Sequence, residues 1–395
     1  MLRKIISITT VLCFFSFLFW ISNSPVAAKT VLAEKNNKLH GGIEIGSRGV
    51  KATAINFTRK GNGYDVKILY TETINTSIMK LKDNRFTPEG LKEAADAVEK
   101  MFTKLQAEYQ VPVEQIYIVG SSGLRADNKP ELVSAVNKAI GRPMSFLTVE
   151  LEVQLSIAGT IPRKRDDETK PLNEREVALL LDIGSGNTKG GYQQPDSPKE
   201  EFVTMGIPFG TVSFTNEVNK LRKVEADLSG FVADAMVIAP GILNEQLRKE
   251  VEKKPGMLYR KRVYLSGGII WAMATLMHPD NRRAFVTLTT DDIAMFHYRA
   301  RNDMDGLLNP DLSRIDEQKR AEIKKEIDAV KATFTPKNII AGAEILNAVS
   351  AEFKLQNKEV WFARFGNLSW ILSYVRGQAE KQLLAAEGST TSALK

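Results

Sequence analysis

The chain has 395 residues, of which 43% are hydrophobic and 26% charged. That balance excludes a disordered, collagen-like or polytopic membrane chain, and the length predicts two lobes rather than one ordinary domain. Lys and Arg exceed Asp and Glu by 54 to 47, a net charge of +7, a mild excess that favours polyanionic ligands without selecting one.

At the N-terminus, Arg3 and Lys4 precede an uncharged, largely apolar run from Ile5 to Ile21, followed by Val26-Ala27-Ala28. This is the pattern of a secretory signal peptide over residues 1–28, cleaved after Ala28, and it predicts an exported, periplasmic or secreted protein. The alternative is an uncleaved membrane anchor, since the run approaches the length that spans a bilayer. Cleavage removes Cys13, the only cysteine, so the mature chain has no disulfide or thiol chemistry.

An apolar β-run then enters a Gly/Ser turn, and Val50-Lys-Ala-Thr-Ala-Ile-Asn-Phe57 leaves it with alternating character, a predicted hairpin. A helical stretch follows from Pro88 to Tyr109, then a strand from Gln115, and a strand and helix within Ser145–Gly159. Arg163 to Glu176 is a dense charge run without apolar period, read as an exposed linker. A second Gly/Ser hairpin begins at Leu180, and the spacing from Glu217 to Tyr259 and from Asp311 to Ala332 is helical. The expected organisation is a first lobe over residues 41–160, a second over 177–375 with helical insertions, and a disordered tail over 376–395.

The two hairpins are similar to each other. Gly42-Ile-Glu-Ile-Gly-Ser-Arg-Gly-Val-Lys51 is echoed by Leu180-Leu-Asp-Ile-Gly-Ser-Gly-Asn-Thr-Lys189, with the acids, the Ile-Gly-Ser triplets and the lysines all offset by 138 residues. Two acid-bearing hairpins a domain apart predict a duplicated α/β protein with a ligand cleft between its halves. Glycine-rich turns let backbone N–H groups surround phosphate oxygens, a hydroxyl adds a donor, and an acid at the strand end can hold a divalent cation. Gly46, Ser47, Arg48 and Gly49, with Gly184, Ser185, Gly186, Asn187, Thr188 and Lys189, are therefore the candidate phosphate-binding residues, and Asp182 and Glu44 the candidate metal ligands.

These paired hairpins resemble the phosphate-binding motifs of the actin, sugar kinase and heat-shock chaperone superfamily, and the remaining landmarks resemble its exopolyphosphatase/guanosine pentaphosphate phosphohydrolase branch. Gln115 to Arg125 is similar to that branch's strand ending in Thr-Ser-Ala-Leu-Arg, and Ser145 to Gly159 to the segment carrying its water-activating glutamate. Phe202 to Val212, Val263 to Ala272 and Phe334 to Val349 follow in family order. The resemblance implies two actin-like (ribonuclease H-like) lobes, magnesium as cofactor, and a substrate that is polyphosphate or another phosphorylated small molecule. It implies no nucleic acid partner and allows a homodimer. It places Arg125 on the terminal phosphates and Glu152 as the base, with Glu150 the base if the register slips by two. Departures accompany it: Glu44 stands for an Asp, Arg48 and Gly49 for Asn and Ser, and Lys189 for a glutamate that helps place the metal. A charged lysine cannot ligate magnesium, though it can sit on phosphate as a point charge.

Two functions follow: an exported phosphohydrolase releasing phosphate from the end of polyphosphate or a related phosphoanhydride, or a non-catalytic polyphosphate- or nucleotide-binding protein that has lost the metal site. Other chemistries find little support. His40, His278 and His297 are not spaced with one another as a zinc site requires, and no Gly-x-x-x-x-Gly-Lys-Ser/Thr loop occurs. If the N-terminal reading holds, N-terminal sequencing of protein from the exported fraction gives a start at or near Lys29; an intact Met1 terminus in washed membranes gives the anchor instead.

Overall fold

A computed structural model describes residues 37–392 except 61–62, 163–172, 196, 198–200 and 222–226. The signal segment at residues 1–28 and most of the charge run lie outside the described residues. Among those described, no helix is long and apolar enough to cross a membrane.

The first lobe begins with a meander, β1 (Asn37–Gly46), β2 (Gly49–Lys60) and β3 (Gly63–Asn75), followed by the short hairpin β4 (Leu81–Lys82) and β5 (Arg85–Phe86). Helix α1 (Pro88–Ala107) starts at Thr87, whose hydroxyl accepts from the Gly90 N–H, with proline at its first position. It lays Ala94, Ala97, Val98, Met101 and Leu105 against the sheet. After α1 come β6 (Ile116–Gly120), α2 (Lys129–Ile140) and β7 (Met144–Phe146), giving the order β3-β2-β1-β6-β7 with the last two pairings parallel.

The second lobe repeats this plan. Strands β8 (Ala178–Ile183), β9 (Thr188–Gln193) and β10 (Phe202–Ile207) form the antiparallel part, and β11 (Arg262–Ser266) and β13 (Glu359–Ala363) add parallel strands beyond β8. Strand β12 (Phe285–Leu288) closes the far edge antiparallel, giving β10-β9-β8-β11-β13-β12. The duplication expected from the 138-residue offset is thus present over five strands of each sheet, and β12 is additional to the second.

Two helices join the lobes. Helix α3 (Val149–Thr160) is capped by Thr148, whose hydroxyl accepts from the Leu151 N–H. It packs Val153 and Ile157 on Ala178, Leu180 and Tyr264 of the second sheet. The last helix (Gly366–Ser392) leaves the second lobe but covers the first, with Trp370, Ile371 and Val375 clustered on Ile55, Phe57 and Val119. A buried hydrogen bond from Thr160 Oγ1 to Ser369 Oγ, 2.6 Å long, ties the two helices together.

Two expectations differ from the structure. Residues 376–392, read as part of a tail, continue the last helix, where Arg376 pairs with Glu380 one turn on and good helix formers follow. The end of the charge run is not a solvated linker: residues Glu174–Val177 form a helical turn, and Glu174 is fully buried, accepting from Arg262 at 2.6 Å and from Tyr264 at 2.9 Å. A buried charge is tolerated when it is paired and hydrogen-bonded in this way.

The first turn depends on Gly49, which has φ +154° and whose missing side chain would lie 2.0 Å from the Ile74 carbonyl oxygen. Gly49→Ala is expected to cost about 3 kcal/mol, combining backbone strain with displacement of β3. Chemical denaturation would show it as a lowered midpoint.

Candidate phosphate-binding cleft

The tips of the β1–β2 and β8–β9 hairpins face each other across a cavity of about 780 Å³. Gly46, Ser47, Arg48 and Gly49 line it from one lobe, and Gly184, Ser185, Gly186 and Asn187 from the other, with Glu44, Lys51, Glu152, Asp182 and Lys189 at its inner end. The sequence-predicted turn residues are thus brought together, with the exception of Thr188. Its side chain is fully buried and donates to the Phe209 carbonyl at 2.8 Å, so it serves the turn rather than the cavity.

Hairpin register decides the electrostatics of the inner end. In the first hairpin Glu44 stands opposite Lys51, and in the second Asp182 stands opposite Lys189. Residues directly opposite in an antiparallel pair project to the same face, so each acid meets a lysine. Lys51 Nζ lies 3.5 Å from Glu44 and donates to the Asn367 carbonyl at 3.2 Å. Lys189 Nζ lies 2.7 Å from Asp182 Oδ2 and 3.1 Å from Glu152 Oε1, with its side chain only 5% exposed. Asn187 Oδ1 accepts a third, longer bond from it at 3.4 Å.

The two carboxylates have further partners. Asp182 Oδ1 accepts from the Ser266 hydroxyl at 2.7 Å, and Glu152 Oε2 from the Ser122 N–H at 2.7 Å. The Ser122 hydroxyl accepts from Asn187 Nδ2 at 3.0 Å, which carries the network from one lobe to the other. Burial works to raise the Asp182 carboxyl, but Lys189 and Ser266 outweigh it and hold it below the ordinary aspartate value. Burial likewise works against the charge on Lys189, and Asp182 and Glu152 more than offset it, so its pKa lies above the ordinary lysine value. Glu44 goes the other way: burial dominates and raises it despite Lys51.

This arrangement does not fit magnesium. The ammonium occupies the point from which Asp182 and Glu152 would both reach a cation. Among the described residues no group of three or more His, Cys, Asp or Glu is placed to hold a metal ion. Asp182 and Glu44, the expected ligands, are each held by a lysine instead.

Helical spacing explains why Glu152 enters the cleft and Glu150 does not. Glu152, Ser156 and Thr160 form one buried stripe of α3, whereas Glu150 and Leu151 are exposed. Arg125 is exposed and lies on an outer cavity of about 1090 Å³ rather than at the turns. The outer cavity meets the inner one through Ser47, Arg48, Gly186 and Phe334. Among the described residues it is lined by the basic side chains Arg48, Lys80, Arg125, Lys220 and Lys331 and by the acid Glu217. Arg48 stands at the junction, its guanidinium carbon 4.6 Å from the centre of the Phe334 ring of the opposite lobe, and burial draws its pKa down to about 10. Ser122 and Ser266 were missed by the sequence reading, although each adjoins a residue or segment it singled out.

The Asp182–Lys189 pair contributes stability above the ordinary aspartate value of 3.8 and below the ordinary lysine value of 10.5, and loses it as pH falls through the depressed Asp182 value. Lys189→Met leaves two buried carboxylates without their cation, which costs about 3–5 kcal/mol at neutral pH. The deficit should shrink on acidification as Asp182 takes up its proton, a trend that urea unfolding across pH would display.

No protein-family model matches the chain, and no curated protein sequence does. Solved structures do match. A Ppx/GppA family member from Aquifex aeolicus is 17% identical over 88% of this chain and 99% of its own, with a TM-score of 0.58. An exopolyphosphatase from Cytophaga hutchinsonii is 13% identical over 86% of this chain and 98% of its own, with a TM-score of 0.57. An exopolyphosphatase-like protein is 15% identical over 86% of this chain and 99% of its own, with a TM-score of 0.59. The chain therefore has the two-lobed fold of the Ppx/GppA exopolyphosphatase structures, as its duplicated hairpins implied.

Proposed function

We propose that this protein binds a phosphoanhydride polyanion, inorganic polyphosphate in the first instance, in the cleft between its lobes and without a divalent metal. The observation that carries this reading is the outer cavity, where five basic side chains and one acid converge from both lobes and adjoin two glycine-rich turns. Lys220 shares its charge with Glu217 at 2.9 Å, and the lining as a whole keeps an excess of positive charge that suits an extended polyanion better than a compact monoanion. A concave site with an excess of one sign also concentrates counter-ions and speeds their capture. Exopolyphosphatase structures share the fold, which supports the same ligand class.

Hydrolysis is the second reading, favoured by that fold and by Glu152 lining the inner cavity. In it Glu152 takes a proton from water beside a phosphate held at the turns. Against it stands Lys189, which already draws on the Glu152 carboxylate at 3.1 Å. A general base must reach the proton it abstracts, and one engaged by an ammonium and a backbone N–H has little capacity left. The leader read at residues 1–28 adds a compartment to the proposal, outside the cytoplasm, where ATP is scarce and a sugar kinase or chaperone ATPase lacks its nucleotide.

Purified residues 29–395 should bind polyphosphate in chelator, more weakly as salt rises, and release no phosphate with or without magnesium. The triple variant Lys80→Gln, Lys220→Gln, Lys331→Gln should weaken binding about tenfold, at a few tenths to 1 kcal/mol per exposed charge. Phosphate release that needs magnesium and is lost in Glu152→Gln would establish the hydrolase instead.

A further inference from the structure

Lys189 belongs to a closed ring of side chains. Its ammonium donates to Asp182, Glu152 and Asn187; Glu152 accepts from the Ser122 N–H; and the Ser122 hydroxyl accepts from Asn187. The ring crosses from the β8–β9 hairpin to the loop after β6, so it joins the lobes at the bottom of the cleft. Beside it Ser47 Oγ donates to the Gly123 carbonyl at 3.0 Å. A side chain on Gly186 would lie 2.1 Å from Ser47 Oγ and 2.4 Å from the Gly123 oxygen. The two turns are therefore already in contact, with no room for a methyl group between them.

We infer that Lys189 is a tethered counter-cation: its ammonium stands in for a divalent metal between Asp182 and Glu152 and ties the β8–β9 hairpin to α3 before any ligand arrives. A free ion in such a site is set by its concentration, whereas a lysine on the same hairpin as Asp182 is always present. The inner end of the cleft is then independent of metal, and a bound polyanion lies on the Arg48 side of the turns. The inference deepens the metal-free reading above and rests on it for the ligand, but its core concerns metal alone.

Calorimetric titration with magnesium or manganese, together with thermal unfolding in chelator and in millimolar metal, tests it with no polyphosphate present. Wild-type protein should bind neither ion, and its melting temperature should not move. Lys189→Ala empties a site of two carboxylates and an amide oxygen, a donor set that suits magnesium or manganese. It should melt lower than wild type, bind one ion, and regain about 2–5 °C on adding metal; adding Asp182→Asn should abolish that rescue. Stoichiometric magnesium binding by wild type, or a Lys189→Ala protein indifferent to metal, would overturn the inference. Should Lys189→Ala not fold, the wild-type titration decides, with Lys189→Arg, which keeps the cation, expected to match wild type. Failure of polyphosphate to bind while these results hold would strike the proposed ligand and leave the counter-cation standing.

Discussion

An ammonium group 2.7 Å from one carboxylate and 3.1 Å from another, with a side chain 5% exposed, is a costly thing to bury unless its partners are fixed in advance. Here they are fixed by three different devices. Hairpin register puts Asp182 opposite Lys189, the Thr148 cap and the buried stripe of α3 turn Glu152 inward, and the Ser266 hydroxyl and the Ser122 N–H hold the remaining carboxylate oxygens. The surrounding architecture is the support for this cluster: α3 lies on the second sheet, and the last helix runs back over the first lobe and clamps α3 through Thr160 and Ser369.

The division of charge along the cleft follows from it. At the inner end Glu44 has Lys51, and Asp182 and Glu152 share Lys189, so the pocket between the turns carries no excess of positive charge. Farther out, beyond Arg48, Lys80, Arg125, Lys220 and Lys331 face Glu217. An anion is therefore drawn to the mouth rather than to the bottom. Arg48 sits at the boundary, its guanidinium against the Phe334 ring of the other lobe, so it can contact phosphate and span the lobes with one side chain. On the proposed reading a few residues in one hairpin make the site independent of metal, which is why function has to be argued from the site and not from the fold.

Much of this was legible in the sequence because a duplication leaves a repeat. The shared Ile-Gly-Ser turns and their constant offset announced two hairpins facing one cleft, and the strand order bears that out. The pairing of Asp182 with Lys189 was also within reach, since a short tip between Ile183 and Thr188 sets the two residues opposite each other. Sequence alone places that lysine on phosphate instead. The inward turn of Glu152 rather than Glu150 follows from the buried stripe it shares with Ser156 and Thr160. What sequence could not supply was long-range partnership. Nothing local distinguishes Ser122 from its neighbour Ser121, or tells that Glu174 in a charge run meets Arg262 and Tyr264 some ninety residues on. Arg125 follows a family-like strand, yet its loop carries it to the outer cavity, a matter of tertiary path and not of motif.

The central claim is that a lysine takes the place of a cation. A crystal structure of the wild-type protein grown in manganese tests it most directly through the anomalous signal of the metal. The account predicts Lys189 Nζ between Asp182 and Glu152 with no anomalous peak beside them. A manganese peak bridging those two carboxylates, with Lys189 swung aside, would contradict it.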